Sequence, residues 1–167
     1  MFDLRTYLPY LLNRVGVALV DRFSEELCAE SLTVSMWRVL AVLRHDGPQH
    51  MSELSELTSI ELSTLSRLTG SLQRRGLTTR KRGGSDARYV RVALTPRGKT
   101  LTERLLPKAL ALEERLVGAM PARDVAALKR LLDVLYANIR SQDMSSSLRH
   151  SPAERQVAPR KRSSLCP

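Results

Sequence analysis

Cysteine is nearly missing from this sequence: Cys28 and Cys166 are the only two in 167 residues. Two such distant thiols make no disulfide framework and suit a reducing compartment, so a cytoplasmic protein is expected. Aromatic residues reach only 4%, with a single Trp, which argues against a stacking platform for single-stranded nucleic acid. No run of about 18 apolar residues occurs, so no membrane span is expected. The opening MFDLRTYLPY shows neither the basic nor the apolar region of a secretory signal. His45, His50 and His150 are scattered without metal-ligand spacing, and neither a phosphate-cradling glycine loop nor a nucleophile elbow is present. Enzymatic chemistry and a bound cofactor are therefore not expected.

Acid is the other scarcity, and it is local. From Ser63 to Lys99 there are ten basic residues (Arg67, Arg74, Arg75, Arg80, Lys81, Arg82, Arg88, Arg91, Arg97, Lys99), and Asp86 is the one acid. Ten against one leaves this segment at +9, nearly all of the chain's formal +10. Positive charge packed into so short a stretch is what a phosphate-backbone binder requires.

The same stretch has a patterned geometry. On a helix of 3.6 residues per turn, Leu65, Leu68 and Leu72 form one apolar stripe, and Ser63, Ser66, Arg67, Gly70 and Arg74 fall opposite, with Thr64 and Ser71 on a flank. Gly76 stands where a helix-ending glycine belongs. A short Thr78–Lys81 run, the turn Gly83-Gly84-Ser85-Asp86 and an alternating Tyr89–Leu94 strand then predict a hairpin. Helix followed by basic hairpin is the recognition helix and wing of a winged helix-turn-helix.

Before that stretch, Leu8, Leu12, Val15, Leu19, Phe23 and Leu27 recur at steps of three and four, predicting one long helix over Thr6–Leu27 with Pro9 in its first turn. Residues 31–33 read as loop and cap, Ser35–Arg44 as a short helix, and Ser52–Thr58, with Leu54 and Leu57, as a two-turn helix capped by Ser52. Residues 59–61 make the turn into the recognition helix, capped at or near Ser63. After the wing, Thr95 and Pro96 read as cap and first residue of another helix, with irregularity expected about Pro107 and a break at Pro121. Val125, Leu128, Leu132, Leu135 and Ile139 keep a heptad rhythm through Arg140. From Ser141 the serine-, proline- and arginine-rich text reads as a disordered basic tail.

The expected fold is mainly α (α+β): an N-terminal dimerisation helix (1–30), a winged helix-turn-helix (31–97), C-terminal dimerisation helices (98–140) and the tail (141–167). The terminal helices carry more apolar surface than one small domain absorbs, so a two-fold homodimer is expected, and two recognition helices one DNA turn apart suit a palindromic site in double-stranded DNA.

These residues resemble the MarR family of bacterial transcription regulators. The likeness spans roughly Tyr7 to Ile139. It is sharpest in Asp86-Ala87-Arg88 with the strand and Leu94-Thr95-Pro96-Arg97-Gly98 that follow, and in Leu54 to Leu57 with Ser63 to Leu77. The resemblance implies that Ser63, Thr64, Ser66 and Arg67 face the major groove, and that Arg74, Arg80, Arg82 and Arg88 belong to the DNA-contacting surface. Asp86 is then the ion-pair partner that stiffens the wing through Arg88. Many members carry a further wing arginine where this chain has Ala87. The resemblance also implies repression relieved by a small phenolic or carboxylate-bearing effector bound between the dimerisation helices and the DNA-binding core, with Tyr7, Tyr10, Asn13, Arg14, Trp37 and Arg38 as candidates. Each of these can equally serve packing or a plain surface.

Two other readings stay open on sequence. A thiol-sensing regulator would use Cys28, near the end of the first helix and placed where it is expected to be buried, but its neighbours Glu25, Glu26 and Glu30 oppose thiolate formation. A ligand-independent architectural DNA binder would keep the basic surface and lack any effector.

Overall fold

The computed structural model describes residues 2–82 and 90–149, and of Arg82 and residues 142–149 the backbone alone. The chain divides into two units, the first reaching Leu116 and the second starting at Val117.

The first unit opens with α1 (Leu8–Cys28), entered through Pro9. Of the six apolar residues spaced along it, only Phe23 and Leu27 are buried; Leu8, Leu12, Val15 and Leu19 stay exposed in the single chain. Cys28 is also exposed, against expectation, because it lies about 100° round the helix from Leu27, which takes the inward position. α2 (Val34–His45) is capped by Thr33, whose hydroxyl accepts from the Met36 amide at 3.2 Å, and buries Val39, Leu40 and Leu43.

Gln49 and His50 form a two-residue strand, β1, and α3 (Met51–Thr58) begins directly after it. His50, not Ser52, is thus the capping position. Its extended backbone belongs to the sheet, and its N–H donates to Glu53 Oε2 at 2.9 Å. Leu54 is fully buried while Leu57 is exposed. Ser59 then turns with a left-handed φ of 52°, a conformation that side chains seldom adopt. The turn is held by the Ser55 hydroxyl, which donates to the Ile60 carbonyl at 2.6 Å.

α4 (Leu62–Arg74) packs Leu65 and Leu72 into the core, with Leu68 half-buried, and ends at Gly76, whose φ of 68° needs no Cβ. β2 (Thr78–Arg82) and β3 (Val90–Leu94) pair antiparallel, Thr78 opposite Leu94 and Arg82 opposite Val90. β1 adds to the other edge of β3, giving the order β1-β3-β2.

α5 (Pro96–Val117) runs through Pro107 as one helix. The carbonyl that Pro107 leaves without an amide is that of Glu103, an exposed residue where water can serve. Leu101 and Leu105 close the core over Leu27, Leu40, Leu65, Leu77 and Val92. Each such leucine contributes about 2 kcal/mol when removed from water. Glu26, near the end of α1, pairs with Lys108 and Arg115 of α5, and Glu30, in the loop just past α1, pairs with Arg104.

The second unit is α6 (Ala122–Arg149), which starts after Pro121 as expected but passes Arg140 by nine residues. Residues 141–149 are therefore helical rather than disordered, because extending a helix by one residue costs far less than nucleating it. The rest of the tail, 150–167, lies outside the described residues.

Candidate nucleic-acid interface

α4 presents two unlike faces. Thr69, Leu65 and Leu72 are buried, whereas Ser63, Thr64, Ser66, Arg67 and Arg74 are exposed together on the other side. Thr69 is inward because its hydroxyl donates back to the Leu65 carbonyl at 2.9 Å, so a polar residue sits in the core with its donor satisfied.

Four arginines of the basic segment are tied to the fold in distinct ways or lie free of it. Arg80, on β2, turns toward α4: its Nη2 donates to the Ser66 carbonyl at 2.8 Å and to the Thr69 hydroxyl. It thereby fastens strand to helix and fixes the tilt of the Ser66–Arg67 face. Arg75 donates to the carbonyls of Ser31 (2.8 Å) and Glu30 (2.5 Å), anchoring the end of α4 to the α1–α2 loop. Arg91 reaches the Pro48 carbonyl at 3.2 Å from β3. Arg67, by contrast, is exposed among hydroxyls. Asp86, Ala87 and Arg88 lie outside the described residues, as does the side chain of Arg82.

The acid-free face has an acid at its entrance. Glu61 caps α4, accepting from the amides of Ser63 (3.1 Å) and Thr64 (3.2 Å) and from the Ser63 hydroxyl. The hydroxyl bond first, then the two amides, hold its carboxyl below the ordinary value of 4.5, with a smaller pull from Arg67. Sequence reasoning placed this cap at or near Ser63, since serine is the commoner cap; a carboxylate two residues earlier satisfies the same orphan amides.

The wing is locked to α5 at one point. Thr95 Oγ1 donates to the Gly76 carbonyl at 2.7 Å and accepts from the Gly98 amide at 2.9 Å, while the Thr95 amide donates to the Leu77 carbonyl at 3.1 Å. A Cβ on Gly98 would stand 2.0 Å from the Leu77 carbonyl oxygen, so only glycine admits this approach. The Leu-Thr-x-x-Gly spacing has that mechanical cause.

A cavity of about 420 Å³ opens between α1, α2 and α5. Its wall is apolar (Leu19, Val20, Phe23, Trp37 and Leu112 among others) except for Arg38, which also donates to the Thr58 carbonyl at 3.1 Å. Trp37 meets Phe23 edge to face at 5.6 Å between ring centres. Of the six effector candidates, Trp37 and Arg38 line this cavity. Tyr7, Tyr10, Asn13 and Arg14 do not: Tyr7 meets Phe2 edge to face, and the Arg14 guanidinium lies over the Tyr10 ring. Gly16, Ala41, Val42 and Ala109, which sequence reasoning passed over, complete the wall, and small residues there are what leaves the space. No cluster able to hold a metal ion is found among the described residues, and no described helix is long and apolar enough to cross a membrane.

A helix-turn-helix carried on a three-stranded sheet, with a basic hairpin beside its second helix, defines a winged-helix DNA-binding protein. A sequence model of the MarR family matches residues 32–90. The solved structure of a MarR family transcriptional regulator from Silicibacter pomeroyi shares 37% identity over 81% of this chain and 99% of that one, with a TM-score of 0.69. The Bordetella bronchiseptica regulator BpsR, whose DNA binding is regulated by 6-hydroxynicotinic acid, is 25% identical over 81% of this chain and 97% of its own, with a TM-score of 0.75. The transcriptional repressor NicR of Pseudomonas putida is 27% identical over 78% of this chain and 83% of its own length. The chain belongs to the MarR family of transcription regulators.

Proposed function

We propose that this regulator is a homodimeric repressor that holds a palindromic operator and releases it when a small aromatic acid enters the cavity between α1, α2 and α5. The observation that carries the reading is Arg38. Among the described residues it is the sole charged side chain on an apolar wall, and its guanidinium also reaches the last residue of α3. A flat apolar ligand would fill the wall beside Trp37, and its carboxylate would take the guanidinium in a charge-assisted pair. BpsR, a relative of similar fold, responds to such an acid.

Dimerisation is supported by what the single chain leaves exposed: Leu8, Leu12 and Val15 on α1, and Leu128, Leu131, Leu132, Val134 and Ile139 on α6. Apolar faces of that length call for a partner surface. In the complex, Arg67 with Ser63, Thr64 and Ser66 reads bases, and Arg74, Arg82 and Arg88 meet the backbone. Arg80 acts through the α4 face it orients.

Footprinting the chain on DNA upstream of its own gene, with and without a panel of aromatic acids that includes 6-hydroxynicotinic acid, tests the proposal. A protected inverted repeat lost on adding one acid is expected. Protection indifferent to every aromatic acid would leave a regulator without this effector class, and the architectural reading would replace it.

A further inference from the structure

We infer that Glu61 is a specificity residue: it accepts the exocyclic amino group of a cytosine in the DNA site and keeps the end of α4 off the phosphate backbone. The inference rests on the reading of α4 as the base-reading helix.

A bare helix N-terminus offers several unpaired amides and a partial positive charge, which together attract phosphate. In α4 that place is filled. The Ser63 and Thr64 amides and the Ser63 hydroxyl all donate to one carboxylate, which carries a full negative charge on an exposed surface. A phosphate brought there would meet repulsion and find those three donors already used. The N-terminal end of a helix in the major groove lies against base edges, so a carboxylate at that end has to be matched by a donor on a base.

The carboxylate has room for one. Two oxygens provide about four acceptor sites. Oε2 takes the Ser63 hydroxyl and the Thr64 amide, and Oε1 takes the Ser63 amide, so among the described residues Oε1 keeps a free site. In the major groove, amino donors come from cytosine N4 and adenine N6, but adenine sets its N7 acceptor beside the amino group, facing the carboxylate with a second negative edge. Cytosine has no such neighbour on its own edge. Arg67, of opposite sign on the same exposed surface, suits guanine O6 and N7. One helix face thus carries complementary readers for the two bases of G·C-containing steps.

The test is selection of binding sites from duplexes with a randomised core, by the full-length protein and by Glu61→Gln and Glu61→Asp. Gln retains a capping oxygen without the charge; Asp retains charge and cap but is shorter by one methylene. The unmutated protein is expected to prefer cytosine at one position of the selected site. Both variants should relax that preference by about tenfold, the discrimination of one well-made base contact. Only Glu61→Gln should bind unselected duplex more tightly, by about threefold, since it alone removes the repulsion. Melting within a few degrees of the parent certifies that the cap survives. Identical base preferences in all three proteins overturn the inference while leaving base reading by α4 intact; no consensus with the unmutated protein overturns both. A selected adenine lost in the variants would reject cytosine as the partner.

Discussion

The Arg38 guanidinium donates to the Thr58 carbonyl at 3.1 Å, joining the wall of the α1–α2–α5 cavity to the last residue before the helix-turn-helix turn. Ser59, the next residue, is held at a positive φ that its side chain disfavours. The proposed acid would compete for the donor that anchors this strained turn, so binding in the cavity can bias α4.

Arg38→Met, which keeps bulk and removes the donor, should weaken operator binding without ligand by roughly fivefold, the worth of about 1 kcal/mol from one hydrogen bond. It should also blunt release by any aromatic acid that acts on the parent. Fluorescence anisotropy with labelled operator measures both effects. Parental affinity and parental release together would deny Arg38 any part in the coupling.

Two glycines make an internally controlled pair. Gly98→Ala places a Cβ 2.0 Å from the Leu77 carbonyl oxygen, which is itself held by the Thr95 amide. Neither backbone can yield cheaply, so a loss of about 3 kcal/mol and a fall of about 10 °C in melting temperature are expected. Gly16→Ala meets nothing within 4 Å and sits inside α1, so it should stabilise by about 0.5–1 kcal/mol. Calorimetry on both variants would expose an error if their signs agree.

Glu61 gives stability a pH dependence of known sign. Its native pKa lies below the ordinary 4.5, so the carboxylate contributes fully above that pH and its contribution is lost as pH falls through the lowered native value. The melting difference between the parent and Glu61→Gln should hold steady from about pH 7 to 5 and shrink below 4.5. A difference that grows on acidification would reverse the assigned shift.

What the sequence made legible was whatever a repeat or a turn residue encodes. The spacing of Leu65, Leu68 and Leu72 sets the buried face of α4 because helical period fixes direction. Gly76 and the Thr95-Pro96 pair mark helix ends through backbone preferences that any context preserves. Direction of a long side chain is another matter. Counting Arg75, Arg80 and Arg91 as surface charge was correct arithmetic, yet all three guanidiniums bond to carbonyls of the fold, and nothing in a charge count distinguishes inward from outward. The cap at Glu61 was hidden by the nearby serine, and the cavity by being made of gaps beside Gly16, Ala41 and Ala109, which leave no motif. α6 outran its expected end because serines after an established helix read as linker although the backbone can continue through them.

Leu132 and Leu135 provide a check on the dimer. Leu132 is exposed and Leu135 half-buried on α6 of the single chain. If α6 packs in a two-fold seam, Leu132→Asp with Leu135→Asp should dissociate or unfold the protein, since burying two carboxylates in apolar surroundings costs several kcal/mol. Sedimentation of the parent as a monomer at micromolar concentration would refute the seam outright.

The proposed division of labour between Arg67 and Arg80 separates base reading from orientation. Arg67 is exposed on the α4 face away from Leu65 and Leu72, whereas Arg80 spends its Nη2 on the Ser66 carbonyl one residue before it. Arg67→Ala should cost about 1–3 kcal/mol on the selected operator and little on random duplex, with melting unchanged. Arg80→Met should cost affinity on the operator together with about 1–2 kcal/mol of stability, because the Thr69 hydroxyl loses its donor and the Ser66 carbonyl one of its donors. Its salt slope should stay near the parent's, since a guanidinium turned into the fold releases few counterions. Titrations of both variants against both duplexes at several salt concentrations decide between these roles. Equal losses on operator and random DNA for Arg67→Ala would make it a phosphate clamp, and a slope reduced by about one for Arg80→Met would put its charge back on the DNA.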